Sequence, residues 1–163
     1  MAAVAQAGSL EEVLREACPY PSHLLPRGGT GLCLFAAGFL GQNDAIHMWQ
    51  AEMDVLCVDV DEPRLKEMHD LYPDGWSWCF GDAWDFVDRF GDDMGPWDVV
   101  SVDNFTGEIE PRVLASLPAW CSLASSVVTV TLGRGSEYEV PVGWNATTMR
   151  RSPLASWLVL TRA

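Results

Sequence analysis

Val55-Leu-Cys-Val-Asp-Val-Asp-Glu-Pro-Arg-Leu65 decides the fold, because it reads as a strand that turns at once into a helix. Its first four residues are an apolar run short enough for a buried strand, ending in Asp59. Asp61 suits a helix cap and Pro63 suits the first turn; Leu65, Met68 and Leu71 then follow at helical spacing until Pro73 stops them. The same grammar repeats downstream. Trp76–Phe80 reads as a strand, Gly81-Asp82 as the turn, and a helix follows with Phe86, Val87 and Phe90 inward and Gly91 as its stop.

Upstream, Leu32–Ala36 is an apolar run bounded by glycine, residues 37–43 form a turn, and Asp44 can cap a helix to about Ala51. Further on, Asp98–Val102 is a fourth strand ending in Asp103, Glu110–Leu117 can form a helix, and Ser126–Leu132 is a β-branched fifth strand. Asn145 to Thr161 reads as two strands around Ser152-Pro153. Ahead of them all, Ser9-Leu-Glu-Glu12 has capping-box spacing and opens a short helix to about Ala17. Strands two, four and five are apolar on both faces, which favours parallel pairing under helices. The alternation therefore predicts a Rossmann-like, three-layer α/β/α sandwich with a mostly parallel seven-stranded sheet and an antiparallel C-terminal strand.

The chain has 163 residues, a length expected for one domain: residues 1–30 as a leading helix and loop, 31–163 as the core. Nearly half of it is hydrophobic (48%), with eight Trp and six Phe, which excludes a disordered acidic segment. No apolar run approaches the ~18 residues of a membrane helix, and Glu11, Glu12 and Glu16 are wrong for a secretory leader. Ten basic residues face 23 acidic ones, so direct nucleic-acid binding is not expected. Thirteen of the acids fall between Glu52 and Asp93 and are expected to form a solvated face. Five cysteines without a CxxC pair fit reduced core thiols in a cytoplasmic protein, with no metal site.

In open α/β sheets the ligand lies beyond the carboxyl ends of the strands. Those ends are the Ala36-Ala-Gly-Phe-Leu-Gly41 turn, Asp59, Asp82 and Asp103. Three successive strands ending in Asp is more than packing requires, and carboxylates sharing one crevice repel unless a ligand or hydrogen bonds offset them. A glycine-bearing turn admits a ligand close to the backbone. A carboxylate after strand two can accept both ribose hydroxyls; Asp82 can take an adenine amino group while the Ala83 backbone reads a ring nitrogen. Plain capping is the competing explanation for Asp59, Asp61 and Asp82, and for Asp61 it prevails. It serves Asp103 least, because Phe105 and Gly107 follow it. His47 and His69 read as surface or core residues, and Trp76, Trp84 and Trp144 as core or pocket lining.

Leu32 to about Leu132 resembles the class I S-adenosylmethionine-dependent methyltransferases. Val58-Asp-Val-Asp-Glu-Pro-Arg-Leu65 is similar to their second-strand motif, which implies Asp59, with Val60 beside it, as the ribose-binding acid. Phe80-Gly-Asp-Ala83 resembles the adenine-holding third motif, and Trp97 to Gly107 the fourth, with an Asp-x-Phe-x-Gly ending nearest the spermidine-synthase-like branch. The first motif is degenerate: Leu34 replaces an acid, and the glycine positions read Ala36, Gly38 and Leu40, with Gly41 beyond. The resemblance implies S-adenosylmethionine as cofactor, held by Ala36, Ala37, Gly38, Gly41, Asp59, Val60, Asp82, Ala83 and Asp103. It implies a catalytic Asp103 that orients a small-molecule or protein acceptor or takes its proton. The short chain leaves room for a homodimer or partner chain to complete the acceptor pocket. Two other readings stand beside this one: a methyltransferase-like binding or assembly module, and an aminopropyltransferase-like relative.

Overall fold

Seven strands hydrogen-bond into one sheet in the order β3-β2-β1-β4-β5-β7-β6 in the computed structural model of the chain. The structure describes residues 20–36, 44–104, 107–133 and 135–163. The strands are β1 Thr30–Leu34, β2 Asp54–Asp59, β3 Trp76–Phe80, β4 Trp97–Val102, β5 Ala124–Gly133, β6 Trp144–Arg150 and β7 Ala155–Arg162. The first five pair in parallel, while β7 runs antiparallel to both β5 and β6. The expected architecture is present, with the strand order reversing between β1 and β4 as in other doubly wound sheets.

Alternation along the strands builds two apolar layers. Leu32, Leu34, Val100 and Val102 face one side, with Phe86, Val113, Leu117 and Trp120 from the helices that cover it. Cys33, Val55, Cys57 and Val99 face the other, under Ala45, Ile46, Met48, Leu65 and Met68. The second set of helices is α1 (Asp44–Gln50) and α2 (Glu62–Leu71); the first is α3 (Ala83–Met94), α4 (Glu110–Ala115) and α5 (Leu117–Leu123). Cys33, Cys57 and Cys121 are buried thiols, filling core space as small hydrophobes.

Three details depart from the sequence expectation. Gly91 does not stop α3, which runs three residues further; a Cβ there would meet Leu123 Cδ2 at 3.0 Å, so its glycine serves close helix packing. Phe90 lies on the outer side of α3, 43% exposed. The segment expected as one helix from Glu110 to Leu117 is two helices meeting at Ser116, whose Oγ donates to the Arg112 carbonyl, with Pro118 in the first turn of α5. The expected Ser9–Ala17 helix lies outside the described residues, as do Ala37, Gly38, Leu40 and Gly41 of the first turn.

Candidate functional site

The carboxyl edge of β2 and β3 carries an open pair of acids. Asp59, the last residue of β2, is half-buried, and its Oδ1 accepts the Asp61 N–H at 2.9 Å. Asp82 caps α3 by accepting the Asp85 N–H at 3.0 Å, leaving its side chain exposed. Asp82 follows the strand beside Asp59, and the ends of β2 and β3 are joined where the Gly81 N–H donates to the Asp59 carbonyl at 2.9 Å. Asp61 caps α2 through the Arg64 N–H, so its capping role is the one the structure displays.

Beside these acids, large apolar side chains are left in solvent. Val60 is 63% exposed and Phe80 is 56% exposed. Phe80 is the register partner of Asp59, so both project from one face of the sheet. Burying either side chain would stabilise the fold by about 1.5–3 kcal/mol, so both keep apolar surface in water beside the acids at that cost. Ala83, the first residue of α3, is buried behind Asp82. On the β1 side, Phe35 is held in the left-handed region (φ 56°), where a non-glycine residue is strained. Its ring meets Trp84 edge-on at 5.4 Å, which fixes the way the chain leaves β1. Ala36 follows, its N–H donating to the Val58 carbonyl at 3.2 Å.

Asp103 has a different setting from the open crevice expected of it. It is 3% exposed and turns into the layer beneath α1, where its Oδ1 lies 2.9 Å from Arg151 Nη1 and accepts Thr131 Oγ1–H at 3.2 Å. Arg151 Nη1 also donates to Thr131 Oγ1 and faces Asp44 Oδ1 at 3.4 Å, an ion pair without hydrogen-bond geometry. The other oxygen of Asp44 accepts a short hydrogen bond from Ser101 Oγ. Burial pushes the Asp103 carboxyl up to about 7; Arg151 pulls against it and Asp44 adds to it. Asp44 is raised by the same burial, opposed by Arg151 and Ser101. Burial works against charge on Arg151, but its two carboxylates outweigh that and raise it. Asp103 Oδ2 has no hydrogen-bond partner among the described residues.

Tyr20 closes this polar layer, its hydroxyl 2.9 Å from Thr129 Oγ1 and its ring stacked on His47 at 5.6 Å. His47 is therefore a partly buried packing residue, held below its ordinary value by burial. The sequence reading missed Arg151. Arg150, the last residue of β6, is exposed, while Arg151 in the turn that follows is buried, and no local spacing separates the two.

A cleft of about 1210 Å³ opens elsewhere, between α4–α5 and the segment leading into β6. Gly107, Glu110, Leu114, Tyr138, Trp144 and Arg162 are among its walls. Its walls include neither Asp59 nor Asp82, so this cleft and the strand-end acids are separate features. Trp144 thus lines a cleft, whereas Trp76 is core and Trp84 packs between Phe35, Trp120 and Arg112.

Solved structures share this arrangement. TrmN from Thermus thermophilus superposes with a TM-score of 0.63 at 19% identity, over 99% of this chain and 52% of that one. An S-adenosylmethionine-dependent methyltransferase from Neisseria gonorrhoeae gives 0.54 at 16%, covering 81% and 61%. A conserved hypothetical protein of Streptococcus pyogenes gives 0.68 at 15%, covering 84% and 88%. The chain has the methyltransferase fold. At these identities the likeness is one of fold. No protein-family model matches the sequence, and no curated protein matches it. Among the described residues no helix is long and apolar enough to cross a membrane.

Proposed function

We propose that this methyltransferase-like chain binds S-adenosylmethionine at the carboxyl edge of β1–β3 and transfers its methyl group to a small-molecule or protein acceptor. The observation carrying this reading is the half-buried Asp59 with exposed Val60, Phe80 and Asp82, gathered at the carboxyl ends of the adjacent strands β2 and β3, on one side of the topological switch point between β1 and β4. Its donor chemistry suits an adenosine: Asp59 accepts the ribose hydroxyls, Val60 and Phe80 offer apolar surface to a flat base, and Asp82 with the Ala83 backbone reads the base edge. The Ala36-to-Gly41 turn holds the remaining end. No cation is required there, which fits a ligand without phosphate.

The bound cofactor supplies a methyl group made electrophilic by its sulfonium. The protein's share is positioning, since aligning two partners accounts for much of the rate in such displacements. Asp103, expected as the residue touching the acceptor, works in this proposal from beneath: buried and clasped by Arg151, it fixes the end of β4 and so the following Asn104. The cleft at Gly107 and Glu110 begins just past that end and is the proposed acceptor side, completed by a second copy or a partner chain. The Asp103-to-Gly107 ending is the reason to include the decarboxylated cofactor among trial ligands. A cytoplasmic setting belongs to the same reading.

The test is a thermal melt with and without S-adenosylhomocysteine. The wild type is expected to melt higher with ligand, and an Asp59→Ala, Asp82→Ala double variant to show no shift. Equal shifts in both proteins would overturn these assignments.

A further inference from the structure

Arg151 stands in the turn between β6 and β7, and its surroundings are built to present it. Its N–H and that of Ser152 both donate to the Ala155 carbonyl, at 3.0 and 3.1 Å. Ser152 Oγ accepts the Leu154 and Ala155 N–H groups at 3.3 and 3.1 Å, locking the turn. From it a guanidinium 1% exposed reaches across β5 to Asp103 after β4 and Asp44 in α1, resting over the Trp157 ring at 4.9 Å. Sheet pairing joins the β6–β7 hairpin to β5 alone, so this side chain ties the hairpin to β4 and α1.

The two acids it holds bracket the switch point. Asp44 begins α1, the first described helix after β1; Asp103 follows the last residue of the neighbouring strand β4. Stability alone does not call for such a triad, because apolar residues of the same volume serve a core as well or better. In some proteins a buried ionic group fixes one arrangement among several, since a shift leaves a charge uncompensated.

We infer that Arg151 is a positioning residue for the proposed crevice: one buried guanidinium that holds the start of α1 and the end of β4 in place relative to each other. The inference rests on the cofactor reading above. It requires that loss of the cation loosen those two segments and weaken ligand binding although Arg151 lies outside the proposed cofactor contacts.

The experiment pairs S-adenosylmethionine titration with amide hydrogen exchange on the full chain, comparing wild type, Arg151→Met and Arg151→Lys. The Met variant should bind about tenfold more weakly or worse, about 1.4 kcal/mol of binding free energy. Lys should recover part of it. Exchange should rise in residues 44–50 and 102–104 while β2 and β3 keep their protection. A folded Met variant with wild-type affinity and unchanged exchange would overturn the inference. Should Arg151→Met fail to fold, Arg151→Met combined with Asp103→Asn removes a stranded carboxylate and is judged the same way. If the wild type itself binds no cofactor, the cofactor reading falls and exchange alone decides the pin. Loss confined to α1 and the end of β4 sustains it, and uniform or absent loss refutes it.

Discussion

Asp82 and Asp103 follow strands of the same sheet, yet the first is exposed and spends its side chain on the Asp85 amide, whereas the second is 3% exposed and clasped by Arg151. The difference lies in what covers each strand. At the β2–β3 side the sheet edge is open, and apolar Val60 and Phe80 remain in solvent beside the acids. At the β4–β5 centre the layer over the sheet is closed, and an ionised acid there demands a cation. Identical residue types at equivalent topological positions thus stay open to solvent in one place and become a structural anchor in the other. Burial decides between them, and no local sequence pattern records burial directly.

Breaking the closed side should give the largest effect. Arg151→Met removes one partner of a buried ion cluster, at a cost of about 3–5 kcal/mol in urea unfolding, because two carboxylates lose their counter-charge. Breaking the open side should cost stability only about 1 kcal/mol, the lost cap on α3, and strike binding instead. The Asp59→Ala, Asp82→Ala variant is expected to lose roughly 100-fold in cofactor affinity by equilibrium dialysis, about one decade for each charge-assisted acceptor. If the two variants exchanged these phenotypes, the division between the sides would be wrong.

A smaller effect sharpens the contrast through pH. The Asp103 carboxyl is pushed up to about 7, so between its unfolded value and that point the native state holds a proton that the unfolded chain has released. Stability contributed by this group therefore falls as pH rises through that window and levels off above it. Asp103→Asn cannot titrate. Its unfolding free energy should gain on the wild type by about 2 kcal/mol between pH 5 and 8, read from urea curves at each pH. A constant gap would contradict the burial argument. Smallest is Asp61→Ala, which should cost about 1 kcal/mol for the lost cap on α2 and leave cofactor affinity unchanged.

Much of this architecture is readable from local pattern. The runs at Val55, Trp76 and Asp98 form β2, β3 and β4 within a residue or two, and Asp61 and Asp82 make the expected cap bonds. These are signals over a few neighbouring residues, where periodicity and capping chemistry act. What escaped the sequence depends on distant partners. Gly91 looks like a stop until Leu123 is seen to press on it. Asp44 looks like a cap until Ser101 and Arg151 are found against its carboxylate. Arg151 meets Asp44 across more than a hundred residues of chain, a separation over which no spacing rule operates.

Calorimetric titration of the wild-type protein with S-adenosylmethionine, with Asp59→Ala as control, tests most directly whether the strand-end acids form a cofactor site. Saturable binding at micromolar concentration, lost in the control while its melting temperature stays within a few degrees of wild type, is the predicted result. No heat from a folded wild-type sample, or equal heat from both proteins, would contradict it.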